Sequence, residues 1–350
     1  MIPYLLSWAL FANAGLANSR RIVGSTLLGL GLFLTLLIGL RDQVGGDWFN
    51  YFPYLYRVTG IPLAAVFQET EPGYALLNWL GANWGGGVYL VNTLCGLIFV
   101  TGLLLFCRAQ PRPWLALTLA FPYLVVVVAM GYSRQGVAIG LEMLALLALQ
   151  RDRLLQFLAW IAIAATFHRT VLVLLLLPAS TLSGSLRFSQ LLRVVLIAGA
   201  SYGLYSAVIA PDIDYYVQGY IEAEYQSQGA LIRVALCLLP AIAFLPNRRA
   251  FQLPPDIQRI WSLLALLAIG AAIGLFTVAS STAIDRLALY LIPLQIFVGS
   301  RLPDTGLFGI SPVSWNQLLI LFSLAVLLVW LLFAGHSQYW LPYRNLLLQF

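Results

Sequence analysis

The sequence predicts an all-α integral membrane protein, a polytopic bundle of about 10–12 transmembrane helices that forms a single domain over residues 1–350. Hydrophobic residues make up 61% of the chain and charged residues only 9%, whereas soluble domains are typically about 25% charged. Apolar stretches of roughly 17–25 residues, each long enough to span a bilayer as a helix, recur along the chain. Their continuity favours helices, because hydrocarbon leaves exposed backbone groups without hydrogen-bond partners.

The apolar stretches predict membrane helices at 1–14, 22–40, 87–107, 114–130, 132–150, 154–167, 170–182, 191–209, 230–245, 259–279, 284–300 and 316–334. We interpret 1–14 as a first membrane helix rather than a signal peptide, because Arg20 and Arg21 follow it instead of preceding it. No internal repeat or interdomain linker interrupts the series, so one domain is expected.

The region 154–182 decides the predicted topology, since it is either one long helix or a short hairpin whose arms meet at His168 and Arg169. A hairpin collects most arginines on one side of the membrane and most carboxylates on the other, whereas a single helix mixes the signs. The positive-inside rule therefore favours the hairpin, with the basic side in the cytoplasm. The net charge of +6 thus indicates cytoplasmic loops rather than a nucleic-acid partner.

Two loops, 41–86 and 210–229, are expected on the outer face. The first contains a predicted interfacial helix near 74–84. The second is acidic and rich in tyrosine, and its aromatic side chains suit either anchoring at the membrane interface or stacking on sugar rings.

Several carboxylates leave two interpretations open. The pairs Asp212 with Asp214 and Glu222 with Glu224 could bind a divalent cation, although such pairs are common in an acidic loop. Glu142 lies about ten residues into a predicted helix. Its carboxyl is either protonated or hydrogen-bonded to a neighbouring helix, or it moves protons as in a transporter.

Polar side chains that are unusual near membrane depth converge on the outer face in this topology. They come from separate segments: Arg41 and Asp47; Arg134 and Gln135; His168 and Arg169; Asp285 and Arg286; and Tyr339, Trp340, Tyr343 and Arg344. A lone arginine at a helix end usually extends to the headgroups, and a lone histidine is more often structural. The clustering is what indicates a functional site, since charges near membrane depth are costly.

Several of these motifs resemble one family. The segment RDQVGGDWFNY, from Arg41 to Tyr51, directly follows a membrane helix. Together with Ser133-Arg134-Gln135, Phe167-His168-Arg169-Thr170 and Asp285-Arg286 followed by Tyr290, it resembles the EpsG family, relatives of the Wzy-type polysaccharide polymerases. The resemblance covers nearly the whole chain, with the motifs in the family's order. Gly46 departs from it, standing where members often have Thr.

The resemblance implies that the chain polymerises or transfers undecaprenyl-diphosphate-linked oligosaccharides at the outer face of a bacterial inner membrane. Membrane lipids and other polysaccharide assembly proteins are the further expected partners. No GxGxxG motif or P-loop occurs in the sequence, and no cofactor is expected.

The chemistry of such a transfer assigns roles to the converging residues. A diphosphate leaving group needs cations as the bond breaks, and arginine offers a bidentate fork for its oxygens. The expected diphosphate ligands are Arg41, Arg134, Arg169 and Arg286, without a metal. The expected base for the attacking sugar hydroxyl is His168, with Asp47 as the alternative. The remaining expected substrate contacts are Gln135, Asp285, Tyr290, Tyr51 and Tyr343.

Two other functions compete with the polymerase. A transporter or flippase of lipid-linked sugars would carry charges through the membrane depth and two inverted halves, yet the charges of this chain gather at one face and only Glu142 is deep. A non-catalytic subunit of a polysaccharide assembly complex is the third interpretation.

Overall fold

The computed structural model describes residues 1–17, 20–182, 188–210, 229–278 and 280–348, and it is almost entirely helical, as predicted. The predicted outer loop 210–229 lies almost wholly outside the described residues, and so do the acidic pairs Asp212 with Asp214 and Glu222 with Glu224. Within the described ranges the only bridge of β type joins Arg41 and Asn345.

The first half of the chain forms seven helices: α1 (Ile2–Leu16), α2 (Gly24–Gly39), α3 (Tyr51–Val58), α4 (Leu63–Val66), α5 (Pro72–Asn83), α6 (Gly87–Arg108) and α7 (Pro113–Ala120). A π-helix, Phe121–Ala129, continues α7. The sequence predicted α5 as the interfacial helix, but it did not predict the two short helices α3 and α4 before it.

The second half contains the following elements: α8 (Ser133–Gln150), α9 (Leu154–Ala165), a 3₁₀-helix (Arg169–Thr181), α10 (Phe188–Leu204), α11 (Ala230–Phe244), α12 (Pro255–Thr277), α13 (Ser281–Ala288), α14 (Pro293–Gly299) and α15 (Pro312–Phe333). Pro293 opens α14 and cannot donate a backbone hydrogen bond. At this point the span predicted at 284–300 bends by 42°.

Among the described residues, α6, α12 and α15 are each long and apolar enough to cross a membrane, and the bent pair around Pro293 makes a fourth such element. Six shorter apolar helices accompany them. The chain is therefore a multi-pass helical membrane protein, while the number of crossings stays a prediction.

The 154–182 region forms the predicted hairpin. Arg193 pairs with Asp152 and also contacts the hydroxyl of Thr181, so both ends of the hairpin lie together. Its tip lies at the opposite end, where the amide of Gly73 donates to the Thr166 carbonyl at 2.9 Å. The second arm is a 3₁₀-helix of 13 residues. At about 2.0 Å per residue it extends roughly 26 Å, which is more than the half-depth arm expected and close to the ~30 Å of hydrocarbon.

The centre of the bundle is the contact between α6 and α8. A Cβ atom on Gly102 would collide with the backbone of Gly140. This glycine pair therefore lets the two helix backbones approach closely, as small residues do in membrane helix packing. This contact fixes the position of helix α8, and Arg134 is the second residue of that helix.

The bundle has two chemically different ends. At one end, which we call the basic end, Arg20 and Arg112 both bind Asp304. At the other, the amide of Asp42 donates to the Arg344 carbonyl at 3.0 Å, so the C-terminal segment lies beside the loop after α2. This second end, which we call the site end, also holds the hairpin tip and the start of α8.

Candidate functional site

The loop after α2 is fixed by a buried arginine. Arg41 is 0% exposed. Its guanidinium donates to the carbonyl oxygens of Ile38 and Val44 and to the side chains of Asn92 and Ser133. In this conformation it contacts no surface that a ligand could reach. Arg41 therefore connects the end of α2 to α6 and α8, and it positions the residues of the site without lining its surface.

A glycine lets this loop approach the end of the π-helix. Gly45 has φ +108°, and a Cβ atom there would collide with the carbonyl of Met130, so both conformation and space require glycine. Its amide donates to the Tyr339 carbonyl at 2.8 Å. Asp47, two residues later, is thereby placed at the site end.

Two tyrosines expected to contact substrate instead hold backbone. The Tyr51 hydroxyl donates to the Gly131 carbonyl at 3.2 Å and accepts from the Ser133 amide at 3.0 Å, which ties down the first turn of α8. The Tyr343 hydroxyl donates to the Leu37 carbonyl at 2.7 Å. Both positions therefore determine where the neighbouring charged residues lie.

Arg134 lies in an aromatic and acidic setting. It pairs with Glu71 at 2.8 Å, and its guanidinium lies 4.9 Å from the ring centre of Tyr54 and 5.6 Å from that of Tyr74. Burial raises the pKa of Glu71, but the charge of Arg134 and a hydrogen bond from Thr70 outweigh burial and hold that pKa below its usual value. The Arg134 side chain remains 30% exposed, so it can still contact a ligand.

His168 forms a triangle with two hydroxyl groups at the hairpin tip. Its Nδ1 lies 2.7 Å from Thr170 Oγ1 and 2.9 Å from the Tyr290 hydroxyl, and these two oxygens are 3.2 Å apart. Burial, reinforced by the charge of Arg134, lowers the pKa of His168 well below its usual value, although Glu71 opposes the shift. The imidazole is therefore neutral at neutral pH.

Arg286 is a cation of the site that has no ion pair among the described residues. Gln135 donates to the Arg286 carbonyl at 2.7 Å, which fixes the start of this helix against α8. The Arg286 guanidinium lies 5.7 Å from the ring centre of Tyr132. Within the described part of the chain, no carboxylate forms an ion pair with it, and no acceptor binds its five N–H groups.

Asp47 faces these cations without pairing to them. Asn50 donates to its carboxylate at 3.2 Å. Burial raises the pKa of Asp47, and the charges of Arg286 and Arg134, together with Asn50, only partly oppose that rise. Asp47, His168, Arg134 and Arg286 therefore share one electrostatic environment, although they come from four distant parts of the sequence.

The carboxylate of Asp285 forms an ion pair with an arginine of another helix. Arg233 of α11 binds it through two parallel hydrogen bonds, Nε to Oδ1 at 2.7 Å and Nη2 to Oδ2 at 2.8 Å. This fork matches the strong bidentate geometry of an arginine and a carboxylate. Asp285 thus anchors α13 to α11, and its neighbour Arg286 is oriented as a result.

Arg169 lines a neighbouring cavity of about 470 Å³ together with Glu69, Thr70 and Phe67. The hairpin tip and the outer loop therefore enclose a space next to the triangle of His168. The described residues contain no group of three or more potential metal ligands.

Sequence reasoning missed Glu71, Tyr132 and Arg233. Glu71 carried one signal, since it stands directly before Pro72 at the start of α5. Arg233 carried none, because nothing local in the sequence indicates that an arginine inside an apolar helix pairs with a carboxylate on another helix.

No curated protein and no solved structure matches the chain. The sequence model of the EpsG family does match it, over residues 26–345. That range includes every site residue described above, from Arg41 to Tyr343. The predicted relationship is confirmed, and this multi-pass membrane protein belongs to the EpsG family.

Proposed function

We propose that this protein is a polysaccharide polymerase that joins undecaprenyl-diphosphate-linked oligosaccharide repeat units into an exopolysaccharide, capsule or O-antigen chain. One observation carries the proposal beyond family membership. Arg286, whose guanidinium forms no ion pair with any described residue, shares one electrostatic environment with Arg134, Asp47 and His168 at one end of a membrane bundle. An arginine with available N–H groups next to two proton-accepting groups suits a sugar donor with an anionic leaving group.

The leaving group is held by arginines. The acceptor hydroxyl oxygen attacks the anomeric carbon of the donor sugar, and the bond from that carbon to the diphosphate oxygen breaks. Arg286 stabilises the negative charge that develops, and Arg134 assists while it remains paired with Glu71. Arg169, which lines the neighbouring cavity, is the third contact that we assign. Arg41 acts as a positioning residue, because its guanidinium is fully enclosed.

Asp47 is the better proton acceptor of the two candidate bases. A general base works best when its pKa lies near the working pH. The site shifts the pKa of Asp47 upward, toward that range, and the pKa of His168 downward, away from it. We therefore assign proton removal to Asp47, and we assign orientation of the attacking hydroxyl to the neutral His168.

Tyr290 and Thr170 set the orientation of that imidazole. Both hydroxyls contact Nδ1, which leaves Nε2 as the ring atom that faces substrate. Gln135, Asp285, Tyr51 and Tyr343 were also expected to contact substrate. Their side chains bind backbone groups or other side chains, so we assign them positioning roles.

The orientation in the membrane follows from charge. Arg20, Arg112 and Arg301 lie at the basic end, so the positive-inside rule assigns this end to the cytoplasm and the site end to the outer face of a bacterial inner membrane. The substrate reaches the site from the lipid bilayer, and other polysaccharide assembly proteins are the proposed partners.

The test is elongation by the purified protein in detergent, supplied with a lipid-diphosphate oligosaccharide. Products whose lengths are multiples of the repeat unit support the polymerase, and they should form in EDTA. Substrate binding without longer products would favour a transporter or a non-catalytic subunit. Loss of activity in EDTA, restored by manganese or magnesium, would assign a metal role to Asp212 and Asp214.

A further inference from the structure

The basic end contains an arginine that forms no ion pair with any described residue. Arg301 follows α14 and stacks on Phe297, with its guanidinium carbon 3.7 Å from the ring centre. Its Nη1 group donates to Gln110 Oε1 at 2.5 Å, to the Phe297 carbonyl at 3.1 Å and to Ser300 Oγ at 3.5 Å. The side chain is therefore held in one orientation from beneath and from one edge.

The opposite edge of this guanidinium is open. Nε and Nη2 of Arg301 have no acceptor among the described residues, and the side chain lines a cavity of about 380 Å³. Elsewhere in this protein the same two groups form the fork that grips a carboxylate: Arg233 binds Asp285 in this way, and Arg112 binds Asp304. The Nε and Nη2 groups of Arg301 offer the same fork to a ligand in this cavity.

The carboxylate that shares this cavity is already paired with other arginines. Asp304 lines the same cavity, but Arg112 holds both of its oxygens and Arg20 binds one of them at 3.2 Å. Two guanidinium groups thus neutralise this carboxylate, and Arg301 adds a further positive charge to the cavity wall. A buried cation is costly without an anion, so this arrangement favours an anionic ligand.

The other residues that line the cavity indicate which chemical class of ligand fits it. Gln110, Gln252 and Thr305 line the cavity beside Ala250, and they offer neutral hydrogen-bonding groups. A planar arginine fork with neutral polar neighbours matches a phosphate group. The volume lies within the roughly 300–1,000 Å³ of small-molecule sites, so it admits a phosphate together with the group that bears it.

We propose that this cavity binds a phosphate-bearing anion through the Nε and Nη2 groups of Arg301. The phosphate belongs either to the headgroup of an anionic lipid of the same membrane leaflet or to a small phosphorylated solute. The site is separate from the one proposed for polymerisation, because the two lie at opposite ends of the bundle.

The experiment measures thermal unfolding of the full-length protein in detergent with three additives: short-chain phosphatidylglycerol, short-chain phosphatidylcholine and glycerol 3-phosphate. A rise in Tm with phosphatidylglycerol alone assigns the site to a lipid headgroup. A rise with glycerol 3-phosphate as well assigns it to a soluble phosphate compound. No rise with either anion, or an equal rise with phosphatidylcholine, would overturn the proposal.

Three variants connect the binding to the cavity. Arg301→Gln should weaken the apparent affinity at least about tenfold, which is the loss of one charge-assisted hydrogen bond, and Arg301→Lys should retain part of it. Arg153→Gln removes an exposed arginine from the same end and should bind normally. Ala250→Phe fills the cavity and keeps the charge, so it should lose binding even if Arg301→Gln fails to fold. Binding that survives Ala250→Phe or a folded Arg301→Gln would place the anion elsewhere.

Discussion

Replacing Arg286 by alanine tests the leaving-group assignment. Its guanidinium has no ion pair or hydrogen bond with the described protein groups, so its N–H groups are available to the diphosphate in the transition state. Two charge-assisted hydrogen bonds of about 1.5–3 kcal/mol each amount to about 3–6 kcal/mol. Since about 1.4 kcal/mol is tenfold in rate, turnover should fall by about 10²–10⁴.

The cost in folding should be small by comparison. The substitution removes one cation–π contact with Tyr132, worth about 0.5–1 kcal/mol at an exposed site. Arg286→Lys keeps the charge and loses the bidentate fork, so its turnover should lie between those of alanine and arginine.

The assay follows single additions of repeat unit in reconstituted membranes and measures donor binding separately. Arg344→Ala is the matched control, because this exposed arginine lies at the same end and its side chain hydrogen-bonds only Gln43 among the described residues. Wild-type turnover in a folded Arg286→Ala protein would show that Arg286 is a headgroup-facing residue and refute the reasoning.

Four further predictions concern the base, pH, the buried arginine and the topology. Asp47→Asn should abolish turnover with donor binding intact, while His168→Gln should reduce it less; the reverse order would return the role of base to His168. Because the pKa of Asp47 is raised and the base must be ionised, kcat/KM should rise with pH through a value above the ordinary aspartate range, and a flat profile through that range would contradict the role of Asp47. Arg41→Ala should destabilise folding by about 3 kcal/mol or more, because it removes a buried donor from four acceptors and leaves the Ile38 and Val44 carbonyls without it, and chemical unfolding would measure this. Cysteine introduced for Arg57 should be labelled from outside and cysteine for Arg249 should not; the opposite pattern would invert the topology. The three native cysteines are buried, so they should add little background labelling.

The sequence predicted the helices and the convergence of charges, because both follow from simple patterns. Apolar length and arginine bias placed the hairpin, and the hairpin in turn placed His168 at the same end as Arg134 and Arg286. Helix boundaries agreed to within a few residues, as for α6, expected at 87–107 and found at Gly87–Arg108.

Backbone geometry inside the spans was not predictable in this way. The π-helix Phe121–Ala129 is stabilised by a distant contact, in which Trp340 Nε1 donates to the Val126 carbonyl at 2.7 Å. The 3₁₀-helix after His168 likewise owes its form to packing, and nothing in its own apolar sequence distinguishes it from an α-helix.

The direction of each charged side chain was the other unpredictable quantity. Arg41 and Arg286 both stand at helix ends in the sequence, yet Arg41 donates to four acceptors and Arg286 has no ion pair with a described residue. Asp285 was expected to meet substrate and instead meets Arg233. Such pairings depend on which helices are neighbours, and that information is not local to either residue.

The central claim is that sugar transfer, rather than movement of the lipid, is the work of the site end. The most direct measurement supplies proteoliposomes with labelled lipid-diphosphate repeat units in one leaflet and counts released lipid diphosphate against added repeat units. The account predicts one lipid diphosphate released for each unit added, and loss of both signals together in Asp47→Asn and Arg286→Ala. Transfer of labelled lipid to the other leaflet by folded wild-type protein, without any elongation, would contradict it.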